Sequence, residues 1–127
     1  MPQNHAKALE LWHNAAEVGH ATSYYNIGNA YYDGNGVERD EKKAKLYLEL
    51  GAMKGDVNAR HNLAVVEENS GNMNRAINHY MIAAGYGQNK ALKNIQILYS
   101  QGKATKEDYT RALRSYQKYL DEVKSDQ

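Results

Sequence analysis

The sequence predicts an all-α fold, an α-solenoid of about three and a half antiparallel helix pairs. Three observations predict it. The alanines that open alternate helices, Ala8, Ala44, Ala76 and Ala112, stand 36, 32 and 36 residues apart. The glycines that close those helices, Gly19, Gly55 and Gly87, repeat the first two steps of 36 and 32. Between these markers apolar residues recur at helical spacing, and the one proline is Pro2, which leaves the rest of the chain free for helix. The expected organisation is one repeat domain over 1–127, with a half unit at 2–19 and repeats at 20–55, 56–87 and 88–125.

The chain opens inside a unit. Leu9, Trp12, Ala15 and Ala16 share a face with Ala8, and Gly19 supplies the left-handed residue that ends many helices. The first complete repeat begins with a helix from about Ala21 to Tyr32, whose stripe is Tyr24, Ile27, Gly28 and Tyr31. Gly28 costs that helix ~1 kcal/mol against Ala. Close approach of a partner helix is the expected return. The loop Asp33–Val37 holds two glycines able to take positive φ, and Val37 is its apolar anchor. Asp40 is placed to cap the second helix, which carries Ala44, Tyr47, Leu48, Leu50 and Gly51.

In the second repeat the first helix has Ala59, Leu63, Ala64 and Val66, and Asn72 is expected to cap a helix bearing Ala76, Ile77, Tyr80, Ala83 and Ala84. The loop between them has shrunk, which accounts for the 32-residue step. The third repeat has Ala91, Leu92, Ile95, Leu98 and Tyr99, then a capping box from Thr105 to Asp108. The last helix presents Tyr109, Leu113, Tyr116 and Leu120 inward and a charged outer side, so it reads as a finished cap ending in a polar tail.

Composition fits thin helical layers. The 127 residues are 42% hydrophobic, with eleven Tyr and no Phe, and the mean hydropathy is −0.83. There is no Cys, hence no disulfide framework or thiolate metal site. No apolar run nears the roughly 20 residues that span a bilayer, and the N-terminus lacks a signal-peptide pattern. An intracellular, cytoplasmic chain without a membrane partner is expected. A net charge of +1 gives no pull toward nucleic acid. None of the five His falls in a helical zinc spacing, and Gly34–Gly36 lacks the Lys-Ser/Thr of a phosphate loop. No catalytic residue, metal site or cofactor is expected, and the chain is read as a non-enzyme.

The first repeat resembles the Sel-one-like repeat, a relative of the tetratricopeptide repeat. Ile27-Gly28, Tyr31, Gly34, Gly36-Val37, Asp40, Lys43-Ala44, Tyr47, Gly51-Ala52 and Gly55 carry the likeness. In the other units Ala64 and Gln96 replace the mid-helix Gly and Glu67 replaces the Tyr. The resemblance implies a right-handed stack of helix pairs that binds protein and is not generally catalytic. It also implies that the first helices line a concave face. Tyr24, Tyr31, Tyr47, Tyr80, Tyr99 and Tyr116 fall on inward stripes and are expected in the core. Tyr25 and Tyr32 fall off the stripe.

The groove-facing candidates are Thr22, Tyr25, Asn29, Tyr32 and Asp33 on one first helix. Asn58, His61, Asn62, Val65 and Asn69 lie on the next, and Lys90, Lys93, Asn94 and Ile97 on the third. Asn29, Asn62 and Lys90 match positions of the carboxylate clamp of some tetratricopeptide co-chaperones. Tyr25 and Asn94 stand where that clamp uses cations, so the charge-assisted gain is missing.

The expected function is a non-enzymatic scaffold that binds a protein or peptide segment. The alternative is a purely structural piece of a longer or engineered array with no ligand of its own, which the half-unit start favours. The N-terminal helix is also expected to expose apolar surface near Ala8, Leu11 and Ala15 and to self-associate through it. Leu11→Lys should then weaken self-association in sedimentation velocity while circular dichroism stays unchanged. A chain that is monomeric at high concentration with Leu11 in place contradicts this reading.

Overall fold

The computed structural model describes residues 2–17 and 20–125. Among them are seven helices and no strand. They are α1 (Pro2–Glu17), α2 (Ala21–Asp33), α3 (Glu41–Met53), α4 (Val57–Asn69), α5 (Met73–Gly85), α6 (Asn89–Ser100) and α7 (Lys106–Ser125). Contacts fall into two compact units, residues 1–63 and 64–127, with the boundary inside α4.

The repeat spacing is explained by loops. Helices α2, α3, α4 and α5 each have 13 residues. The α2–α3 loop spans 34–40 and the α4–α5 loop only 70–72, so the short step costs loop and no helical turn. Ala44 and Ala76 are each the fourth residue of their helix, and both are fully buried.

Helix ends follow their local chemistry. Asp40 Oδ1 accepts from the Lys43 amide at 3.1 Å, and Asp56 Oδ1 accepts from the Ala59 amide at 2.9 Å. Thr105 and Asp108 cap each other, both bonds being 3.0 Å. At Gly55 the helix closes through two bonds, Asp56 to Gly51 and Gly55 to Ala52, each 3.0 Å. Gln88 to Ala83 and Gly87 to Ala84 repeat that closure at 3.0 Å each. The stop expected at Gly19 lies outside the described residues, as does the last part of the polar tail. Asn72 departs from expectation. It precedes α5 but makes no side-chain cap, because its amide donates to Glu67 Oε1 at 3.5 Å instead.

In residues 1–63 the core is Leu9, Ala16, Ile27 and Ala30, with Trp12, Tyr24, Tyr31, Val37 and Tyr47 packed against it. Tyr47 is the hub of the aromatic layer. Tyr31 stacks on it at 5.7 Å and 4°, and His13 meets it edge-on at 5.5 Å. Val37 thus anchors its loop as its apolar character suggested. A Cβ on Gly28 would lie 2.7 Å from Leu48 Cγ and 3.1 Å from the Ala44 carbonyl oxygen. The α2–α3 contact closes at backbone distance there.

In residues 64–127 the interior is Ala64, Val66, Ala76, Ile77, Tyr80, Ala83, Ala84, Ala91, Ile95, Leu98, Ala104 and Ala112. Two expectations fail in this unit. Tyr99 is 39% exposed and stacks on Tyr109 at 5.6 Å. The buried stripe of α6 ends at Leu98, and the next residue lies about 100° around the helix. On α7 the inward face passes through Ala112, with Tyr109, Tyr116 and Tyr119 half-buried, while Leu113 and Leu120 are about 40% exposed. Small Ala112 and Ser115 let α7 approach α5, so the helix turns one position from its bulkier leucines. It is not the finished cap that its charges suggest.

At the other end Leu11 is 57% exposed, while Ala8 and Ala15 are half-buried. The close α2–α3 contact has a measurable consequence. Gly28→Leu should destabilise the chain by ~1–3 kcal/mol through overpacking against Leu48, despite its better helix propensity. Urea unfolding reads this out, and an unchanged or higher midpoint contradicts it.

Candidate functional site

The candidate groove residues follow helical spacing, and each unit presents its own set. On α2, Thr22 and Asp33 are exposed, and Tyr25, Asn29 and Tyr32 are half-buried. Behind them Ser23, Ile27 and Ala30 are buried. This is the amphipathic division of a helix that shows one face and packs the other. At the start of α4, Asn58 is exposed and His61 and Asn62 are half-buried.

A pair of amides joins these two helices. Asn62 Nδ2 donates to Asn29 Oδ1 at 2.7 Å, and Asn62 Oδ1 lies 3.2 Å from His61 Nδ1. Asn62 is therefore engaged on both ends of its amide. Asn29 spends its oxygen on this bond and keeps its NH2 group. Tyr32 is partly covered, since Arg39 sits 5.1 Å above its ring and Arg39 Nε donates to its carbonyl oxygen at 2.9 Å.

In residues 64–127 Val65 is half-buried, and Asn69, Lys90, Lys93 and Ile97 are exposed. Asn94 is half-buried and turned to structural work, for it hydrogen-bonds the Tyr80 hydroxyl. That hydroxyl donates to Glu68 Oε1 at 2.8 Å.

The neighbouring Glu67 is 1% exposed, with Arg75 3.7 Å from its carboxylate and the Asn72 amide on its other oxygen. This polar network was not expected from the sequence. The available signal was Glu67 at the position where the first repeat has Tyr31. A buried carboxylate needs paired partners, and Asn72 ends the short loop while Arg75 lies in the first turn of α5. Among the described residues no group of three or more His, Cys, Asp or Glu is arranged to hold a metal ion. None of the described helices is long and apolar enough to cross a membrane.

The Sel1 repeat model matches residues 1–20, 21–56 and 97–118, more than half of the chain. The chain belongs to the Sel1 repeat family. A crystal structure of a Sel1 repeat protein from Oxalobacter formigenes has a similar fold, with a TM-score of 0.70 and 27% identity over 95% of this chain. The chain spans 50% of the length of that structure. No curated protein matches the sequence significantly.

The fold is thus an all-α Sel1 repeat solenoid, and Sel1 repeat proteins are generally non-catalytic scaffolds for protein interaction. Residues 57–96, between the matched segments, hold the short loop and the network around Glu67 and Tyr80. There this chain departs from the repeat pattern and replaces an aromatic contact by hydrogen bonds.

Burial and the Glu68 carboxylate hold the Tyr80 hydroxyl above the ordinary phenol range. The folded state therefore keeps a proton that the unfolded chain releases near about pH 10. This stabilisation is complete below that pH and is lost as pH rises beyond it. Tyr80→Phe should cost about 1–3 kcal/mol at neutral pH by leaving Glu68 without its donor. It should also flatten the decline in stability above about pH 10. Urea unfolding of both proteins across neutral and alkaline pH checks the cost and the sign.

Proposed function

We propose that this Sel1 repeat chain is a protein-binding scaffold whose contact surface is the first-helix side, the side that lines the concave face of a repeat array. The observation that carries the reading is the Asn62–Asn29 bond of 2.7 Å. It holds Asn29 with its NH2 group uncommitted beside half-buried Tyr25 and exposed Thr22. A fixed amide donor next to an aromatic ring suits a peptide backbone carbonyl flanked by an apolar side chain. The ordering cost of Asn29 is met before the partner arrives, which favours affinity.

The carboxylate-clamp variant of this reading is weaker. Asn62, a matching position, is committed to Asn29 and His61, and Asn94, which stands where the clamp uses a cation, is committed to Tyr80. A second contact, self-association through α1, is supported by Leu11, which is 57% exposed on that helix.

The test is selection of binders from a displayed random-peptide library on the immobilised chain, followed by titration of the winning peptides. Asn29→Ala and Tyr25→Ala should each weaken binding about tenfold, the equivalent of one lost interaction of about 1.4 kcal/mol, with unchanged helicity. Equal binding by both variants contradicts the proposal.

A further inference from the structure

Residues 64–127 carry a second surface, on the side of the second helices. An open cleft of about 700 Å³ runs between α5 and α7. Small residues make its floor, for a Cβ on Gly85 would sit 3.6 Å from Ser115 Cβ. Tyr119 closes against Gly87, where the space of a Cβ is already taken by its ring.

One wall is apolar. Ile82 is 41% exposed and Tyr86 65% exposed, well beyond what the adjoining core needs. The opposite wall is basic, with Arg111 and Lys118 both exposed on α7. Neither cation has an ion pair or hydrogen bond among the described residues. They lie two helical turns apart, about 10 Å along the axis. Glu122 is the one acidic residue lining the cleft.

We infer that this cleft docks a short acidic amphipathic segment of a partner protein. An apolar side chain would lie against Ile82 and Tyr86, and carboxylates would meet Arg111 and Lys118. Charge complementarity selects this occupant. Two uncommitted cations attract carboxylates, and the apolar wall is wasted on a phosphate backbone. The surface is independent of the first-helix side, since none of its residues is on α2, α4 or α6.

The test is titration of the isotopically labelled full chain with a roughly three-turn helical peptide bearing Leu on one face and Glu on the other, followed by amide NMR shifts. Shifts confined to Ile82, Tyr86, Arg111, Ser115 and Lys118 are expected. Binding should weaken about tenfold when Glu is replaced by Gln in the peptide, or in the Arg111→Gln/Lys118→Gln variant, and should fall with added salt. Both variant positions are exposed, so helicity should not change, and Tyr86→Ala should weaken binding through the other wall.

Shifts on α2 or α6 alone would overturn this inference and leave the first-helix reading standing. Equal affinity for the Gln peptide would overturn it, as would no shift up to about 1 mM peptide, which bounds affinity at about −4 kcal/mol. Cleft shifts produced by concentrating the chain without peptide would assign the site to a second copy and overturn the partner stated here.

Discussion

Close approach of paired helices through small residues is the constraint on which the rest depends. Gly28 lies against Leu48 with no room for a methyl group, and Ala44 opposite it is fully buried. In residues 64–127 the same part is played by Ala76, Ala83, Ala84, Ala91 and Ala112, all fully buried. Such contacts bury little area per residue, so each layer gains little from the hydrophobic effect alone. The deficit is met at the flanks. Tyr47 gathers Tyr24, Tyr31 and His13 about one ring in the first unit. Tyrosine suits this place because its ring packs inward and its hydroxyl reaches the rim. Tyr24 donates to the Ala16 carbonyl in this way, at 3.3 Å.

The second unit solves the same problem with polar groups. Where the first repeat has Tyr31, this one has Glu67, buried and paired with Arg75 and Asn72. A carboxylate in that position is not a cheap replacement for a ring, because its desolvation must be offset by partners of good geometry. Asn72 at the end of the short α4–α5 loop and Arg75 in the first turn of α5 supply them. Asn72 gives up its capping role for the purpose, and Tyr80 and Asn94 extend the bonding to Glu68. Loop length, cap chemistry and core polarity are therefore one coupled adjustment.

The same geometry separates structural polar residues from those open to a partner. Asn62 and Asn94 recur with the repeat and are occupied by neighbours. Asn29 retains donors, and Arg111 and Lys118 retain their charges. A solenoid of thin layers has much surface for its interior.

Sequence by itself determined the repeat period, several of the helix ends and the close contact at Gly28. These are local or periodic properties. Gly28, Asp40, Gly55 and the Thr105–Asp108 box act within a turn or two of chain, and the core alanines keep one phase in every copy. Tertiary structure decided what depends on neighbours distant in the chain. It turned α7 onto Ala112 and left Leu113 and Leu120 toward solvent, because close approach of small Ala112 and Ser115 to α5 outweighed the burial of two leucines. It put Tyr99 outside and Glu67 inside, and it tied Asn62 to Asn29 across 33 residues. Helical periodicity fixes which residues share a face to within about one position, or 100°. Which of two adjacent positions is buried depends on the shape of the partner surface, and that shape exists only once the helices have packed.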